Sequence, residues 1–173
     1  MDTKIIFATG NEHKMEEVRM ILADLGMPVC SLKDADIDVD VIEDGSTFEE
    51  NAMIKAREIA KIVGKDAIIL ADDSGLEIDY LNKEPGIYSA RYAGVDTSYD
   101  IKNNLLLERL QSVPDAQRTA RFVCAIAAVF PNGTEEILRG TFEGIIGHKI
   151  VGGNGFGYDP IFFLPDYKCT SAE

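Results

Sequence analysis

Ala67-Ile68-Ile69-Leu70-Ala71-Asp72-Asp73-Ser74-Gly75 runs five apolar residues straight into two acids and a Ser-Gly pair. The apolar run predicts a buried strand, and Asp, Ser and Gly are good turn formers, so a turn is expected at its end. Just upstream, Thr47 and Glu50 have the Thr-x-x-Glu spacing of a capping box. They open a helix whose apolar face is Phe48, Ala52, Ala56, Ile59, Ala60 and Val63. Further back, Lys4 to Ala8 reads as a short buried strand. The turn Thr9-Gly10-Asn11 follows, then a helix with Met15, Val18, Ile21, Leu22 and Leu25 at helical spacing, closed by Gly26 and Pro28. Asp34 to Asp44 is extended, with Ile37, Val39 and Val41 alternating with acids.

Beyond Gly75, Leu76 to Tyr80 continues as a strand and Pro85-Gly86 turns the chain. A helix follows Asp96 or Thr97 and carries Leu105, Leu106 and Leu110. Phe122 to Phe130 is a long strand, Pro131-Asn132-Gly133 a hairpin turn, and Glu135 to Ile146 the returning strand. The glycine-rich segment Gly152 to Asp159 leads into a short strand, Ile161 to Leu164. No linker or internal repeat interrupts the chain. Strands and helices are interspersed, so one α/β domain with a mixed sheet is expected over residues 1–173. Thr170-Ser171-Ala172-Glu173 repeats the capping-box spacing and announces a helix, yet the sequence ends there. The domain is therefore expected to lack its C-terminal helix.

With 173 residues, 46% hydrophobic and 27% charged, the composition is that of a soluble globular domain. No apolar run reaches the ~20 residues that cross a bilayer, and the start is not a signal peptide. Cys30, Cys124 and Cys169 lack metal-type spacing and read as reduced thiols of a cytoplasmic protein. The net charge of -13 repels nucleic acid, so no nucleic-acid partner and no membrane are expected. A small anionic ligand would need local cations, helix N-termini or a bound metal.

Several clusters could supply these. Thr9-Gly10-Asn11-Glu12-His13-Lys14 lies at a strand-to-helix junction, where backbone N–H groups, the helix dipole and Lys14 favour a phosphate. Asn11 as a plain N-cap and Lys14 as a solvated side chain explain the same residues. After Glu43-Asp44-Gly45, the residues Thr47, Asn51 and Lys55 form a polar stripe at four-residue steps. The stripe fits a site, with Lys55 reaching a phosphate and Glu43 a metal, and it also fits a solvated face. Asp72 or Asp73 at a strand end suits Mg²⁺, a hard cation that takes oxygen ligands, but adjacent strand residues point to opposite faces. Arg91 is a candidate phosphate clamp. Gly155-Phe156-Gly157-Tyr158-Asp159 pairs glycines with aromatics, as a base-stacking loop would, and a plain loop is the alternative.

The order of these clusters resembles the inosine/xanthosine triphosphate pyrophosphatase family. The resemblance runs through Thr9-Gly10-Asn11-x-x-Lys14, Glu43-x-Gly45-x-Thr47-Phe48-x-x-Asn51-Ala52-x-x-Lys55-Ala56 and Asp72-Asp73-Ser74-Gly75-Leu76. It continues through Gly86-x-Tyr88-Ser89-Ala90-Arg91, Arg118-x-Ala120-Arg121-Phe122 and Gly155-Phe156-Gly157-Tyr158-Asp159-Pro160-Ile161-Phe162. It implies an elongated two-lobed fold, a long central mixed sheet flanked by helices, a nucleotide cleft between the lobes, and a homodimer. The implied reaction converts ITP, dITP or XTP to the monophosphate and pyrophosphate with Mg²⁺, cleansing the nucleotide pool. Thr9 to Lys14 would hold phosphates with Lys55, and with Arg91 as a further candidate. Glu43 and Asp73 would hold Mg²⁺, Asp73 would accept a proton, and Ser74 would contact substrate. Phe156, Gly157, Tyr158 and Asp159 would frame base and sugar. A lysine and a Ser-His-Arg segment that follow in the family have no counterpart in this sequence. Alternatives are a pyrophosphatase for other modified nucleotides and a non-catalytic nucleotide-binding module.

Overall fold

A computed structural model describes residues 3–173. Its strands are β1 (Lys4–Ala8), β2 (Val29–Ser31), β3 (Ala67–Ile78), β4 (Thr119–Val129), β5 (Glu135–Ile146), β6 (Phe162–Leu164) and β7 (Cys169–Thr170). Its α-helices are α1 (Glu12–Leu22), α2 (Phe48–Val63) and α3 (Tyr99–Arg109). The strands form one seven-stranded sheet in the order β2-β1-β3-β4-β5-β6-β7. β1 pairs in parallel with β2 and β3, whereas β6 pairs antiparallel with β5 and β7, so the sheet is mixed as expected. The chain packs as two compact units, one reaching to Asp73 and including Cys124–Arg139, the other Ser74–Val123 with Gly140–Glu173.

In the first unit, β1 is buried at Ile5, Ile6, Phe7 and Ala8, which explains its unbroken apolar sequence. The stripe expected on α1 is only partly buried. Met15 is buried, but Ile21 lies about 120° around the helix from it and is exposed. Leu25 belongs to a 3₁₀ turn (Ala23–Leu25), whose tighter winding carries it out of the α-helical stripe, and it too is exposed. α2 behaves as predicted. Thr47 caps it, its Oγ1 accepting from Glu50 N–H at 3.1 Å, and Phe48, Ala52, Ala56 and Ile59 are buried. Glu50 reaches back to Ser46 instead of Thr47, accepting from its N–H and Oγ–H at 2.7 Å each.

Two expectations are corrected. Residues 72–75 make no turn: β3 runs through them as a single strand of 12 residues. Local preference for turns yields to ladder pairing here, Ala71 lying in register with Ala8. Asp34 to Asp44 enters no ladder, and the strand of this region, β2, lies earlier. The alternation in that stretch is nevertheless physical. Ile37, Val39, Val41, Glu43 and Gly45 are half-buried, and Asp38, Asp40, Ile42 and Asp44 are exposed.

The second unit is built around Leu76, Ile78, Leu106, Leu110, Ile146 and Phe162. Arg118, 1% exposed, is fully inside. Its guanidinium donates to the carbonyls of Ile146 (2.7 Å), Leu110 (2.5 Å), Val113 (3.4 Å) and Gly147. A buried charge must be hydrogen-bonded, and four converging carbonyls meet that demand. α3 begins at an N-cap Ser98, a residue or two later than expected. At the end of the sequence half of the expected capping box exists: Thr170 N–H donates to Glu173 Oε2 at 2.8 Å.

Candidate active site

The first unit gathers polar side chains from four places. The first turn of α1 supplies Lys14, the alternating stretch supplies Glu43, α2 supplies Asn51 and Lys55, and β3 supplies Asp72 and Asp73. Glu43 is carried inward by the phase that Ile37, Val39 and Val41 set. Its carboxylate accepts from Lys55 Nζ at 2.9 Å. Lys55 also donates to the backbone carbonyl of Asp72 at 2.8 Å, which leaves one of its three N–H bonds beyond these partners. The Lys14 ammonium pairs with the buried carboxylate of Asp72. Asp73 turns the other way and accepts from Asn51 Nδ2 at 3.0 Å, as side-chain alternation along a strand requires.

Asn51 is itself buried, on the apolar side of α2, and both ends of its amide are used. Oδ1 accepts from Gly45 N–H at 2.8 Å while Nδ2 donates to Asp73. Gly45 is required by this contact. A Cβ there would stand 2.7 Å from Asn51 Oδ1 and 2.8 Å from Glu50 Cβ.

These surroundings raise the proton affinity of Asp73. Burial is the main cause, Asn51 opposes it, Glu43 and Asp72 add to it, and Lys55 subtracts. The cluster holds three carboxylates, those of Glu43, Asp72 and Asp73, against the two ammonium groups of Lys14 and Lys55. Among the described residues no three His, Cys, Asp or Glu side chains converge as a ready-made metal cage. A surplus of negative charge with few converging carboxylates fits Mg²⁺, which uses one or two carboxylates with waters and substrate phosphates.

At the β1–α1 turn the N-cap reading holds. Asn11 Oδ1 accepts from His13 N–H (3.0 Å) and Lys14 N–H (3.3 Å), and Thr9 Oγ1 accepts from Asn11 N–H (3.1 Å). Those two helix amides are thus capped from within, so an anion at this turn would have to rely on Lys14 and on the backbone at Gly10. A Cβ at Gly10 would meet nothing within 4 Å, so packing in the chain does not call for glycine there. Glu12 and His13 are exposed on the first turn of the helix.

The second unit holds the remaining candidates. Arg91 is exposed at the end of a 3₁₀ turn (Gly86–Arg91), its guanidinium 5.2 Å from the centre of the Tyr88 ring. Tyr158 is buried, donates its hydroxyl to the carbonyl of Ser89 at 2.7 Å, and meets Tyr99 edge-on. Its hydroxyl is pushed well above the usual phenol range by burial. Phe156, 41% exposed, is the ring of this loop that reaches solvent. Asp159 ties the loop: it accepts from Phe156 N–H (2.9 Å) and Ser171 Oγ–H (2.7 Å). Gly155, at φ +71°, passes so close to that carboxylate that a Cβ would collide with it. Gly157 offers its carbonyl to Asn103 Nδ2 at 3.2 Å. Ser74 is half-buried in the middle of β3.

Sequence reasoning weighed Asn51 in the polar stripe and Asp72 at the strand end but assigned no role to either, nor to Gly45. The four-residue step from Asn51 to Lys55 was the available signal for Asn51. Its place six residues before Asn51 was the signal for Gly45.

Comparison with known proteins places the chain. The model of the Ham1 family matches residues 5–173. A dITP/XTP pyrophosphatase of Clostridium perfringens is 49% identical over 174 residues, covering 98% of this chain and 85% of that protein. One from Vibrio vulnificus is 48% identical, with 98% and 84% covered. Among solved structures, the Ham1 protein of Staphylococcus aureus superposes with a TM-score of 0.87 at 42% identity, over 98% of this chain and 85% of that one. A nucleoside-triphosphatase, dITP/XTP pyrophosphatase, from Mycobacterium abscessus gives 0.82 at 41% identity, with 98% and 86% covered. With residues 5–173 matched and relatives near half identical, this chain belongs to the Ham1 family.

Proposed function

We propose that this protein hydrolyses dITP, ITP and XTP to the monophosphate and pyrophosphate, and so removes non-canonical purines from the nucleotide pool. The observation that carries the reading is the meeting of Lys14, Glu43, Lys55, Asp72 and Asp73 in one unit of a Ham1 chain. Lysines suit a polyphosphate, and paired carboxylates suit the divalent ion that accompanies it. Glu43 and Asp73 would hold Mg²⁺, which when bound neutralises charge on the phosphate oxygens. The same reading has the enzyme act as a homodimer in the cytoplasm.

Water attacks the α-phosphorus in line. The new P–O bond forms as the bond to the α,β-bridging oxygen breaks, and pyrophosphate leaves with that oxygen. Asp73, whose surroundings raise its affinity for a proton, accepts one from the water. Asn51 occupies its Oδ2, so the proton goes to the carboxylate's remaining lone pairs. Lys55 and Lys14 stabilise charge on the departing pyrophosphate, each keeping N–H bonds beyond its carboxylate partner. Donors facing a 6-oxo group would reject ATP by about 10⁴-fold, since its 6-amino group leaves them unpaired.

The test is product analysis with Mg²⁺ and ITP, dITP, XTP, ATP, GTP and dUTP. The expected result is monophosphate and pyrophosphate from the first three. Release of orthophosphate, or binding without turnover, overturns the reading.

A further inference from the structure

We infer that Asn51 is a positioning residue of the reaction: its amide, held by Gly45, fixes the rotamer of Asp73 and thereby the direction in which that carboxylate faces the attacking water. This rests on the proposed role of Asp73.

Asn51 sits in the apolar face of α2 at 1% exposure, where a polar side chain is costly unless both ends are satisfied. Both are. Gly45 N–H donates to Oδ1 at 2.8 Å, so Oδ1 is the acceptor and Nδ2 the end that faces Asp73, at 3.0 Å. The backbone donor therefore settles the orientation of the amide. It also forbids the flipped amide, which would point two N–H donors at Gly45 N–H and a carbonyl oxygen at a carboxylate. Gly45 in turn tolerates no side chain, because a Cβ would stand 2.7 Å from Oδ1. α2 carries Lys55 one turn on from Asn51, bonded to Glu43 and to the Asp72 carbonyl. One helix face thus holds Asp73 by its side chain, through Asn51, and the neighbouring peptide through Lys55. Without Asn51 the Asp73 side chain regains rotamer freedom, and a base displaced by about 1 Å loses on the order of 10²-fold in rate.

The test compares Asn51→Leu, which removes both hydrogen bonds at similar size, and Asn51→Asp, which keeps an acceptor for Gly45 but removes the donor to Asp73. Each is also made in an Asp73→Asn background. Pyrophosphate release from dITP is measured with Mg²⁺, together with circular dichroism. The expected result is a fall in kcat of tenfold to a hundredfold for each variant, with KM changed less than threefold. In the Asp73→Asn background, Asn51→Leu should lower kcat by less than twofold further, because Asn51 acts through Asp73. Gly45→Ala, which displaces the amide from the other end, should show the same split between kcat and KM.

Asn51→Asp with kcat within twofold of the parent would overturn the inference. So would equal losses for Asn51→Leu with and without Asp73, which mark a purely structural role. If Asn51→Leu does not fold, Asn51→Asp and Gly45→Ala decide by the same criteria, and loss of fold in all three overturns a positioning role in favour of a structural one. Undiminished turnover in Asp73→Asn alone would instead sink the role of Asp73 as base.

Discussion

Asp73 stands where burial and two neighbouring carboxylates oppose its ionisation, while Asn51 and Lys55 favour it. An Asp73→Asn protein should lose about 10²–10⁴ in turnover, the range for a general base, as measured by pyrophosphate release. Its thermal midpoint should hold or rise, because the substitution removes a desolvated charge and still offers Asn51 an acceptor. Gly10 contrasts with Gly45, where a Cβ would stand 2.7 Å from Asn51 Oδ1. Gly10 faces open space, so Gly10→Ala should change stability by no more than ~0.5 kcal/mol in urea titration. Its KM for dITP should nonetheless rise about tenfold, the equivalent of ~1.4 kcal/mol, if phosphate approaches that backbone. An unchanged KM would remove Gly10 from the site.

At the level of elements, caps and local pairing were the legible part. Thr47 and Glu50 announced α2, and Thr47→Ala should cost ~1 kcal/mol in urea unfolding, since the Oγ1 that accepts from Glu50 N–H is lost. β1, with its apolar run, and β5, after its Pro-Asn-Gly turn, were found with their observed ends. β2 and β7 were missed because their three and two residues form no apolar run like Ile161 to Leu164, which marked β6. The acids after Ala71 read as a turn because their preference is local, whereas their pairing depends on partners far along the chain. In the candidate site, order and spacing singled out Glu43, Lys55 and Asp73 as proposals, and the fold brings them into one cluster. Asn51 showed only as a member of the polar stripe; its role was not readable, since it depends on Gly45 and Asp73 converging on it in space. The 3₁₀ turn after β3 supports a separate prediction. Asp79 is held well below the ordinary carboxylate range, chiefly by Arg121, with Lys83 and Thr119 assisting. A carboxyl lowered on folding stabilises fully above its unfolded value of ~3.9, and that contribution fades as pH falls below it. Asp79→Asn should therefore lower the urea midpoint at pH 6, and by less at pH 3. An equal loss at both values would contradict the pairing.

Across the whole molecule, a net charge of -13 works against compactness, and most of its ion pairs lie at the surface, where each is worth ~0–1 kcal/mol. Raising NaCl from low ionic strength towards 0.2 M at pH 7 should therefore raise the melting temperature, because screening relieves more repulsion than attraction. A falling melting temperature would mean that the pairs outweigh the surplus charge. Arg118 belongs to another category. Ringed by backbone oxygens of Leu110, Val113, Ile146 and Gly147, it resembles a cation in an ionophore, except that it is covalently tethered and keeps its proton at any ordinary pH. EDTA cannot extract it. Under the proposed reading, in which Glu43 and Asp73 hold the metal, chelation should stop turnover while this internal counterfeit of a bound ion continues to brace the second unit.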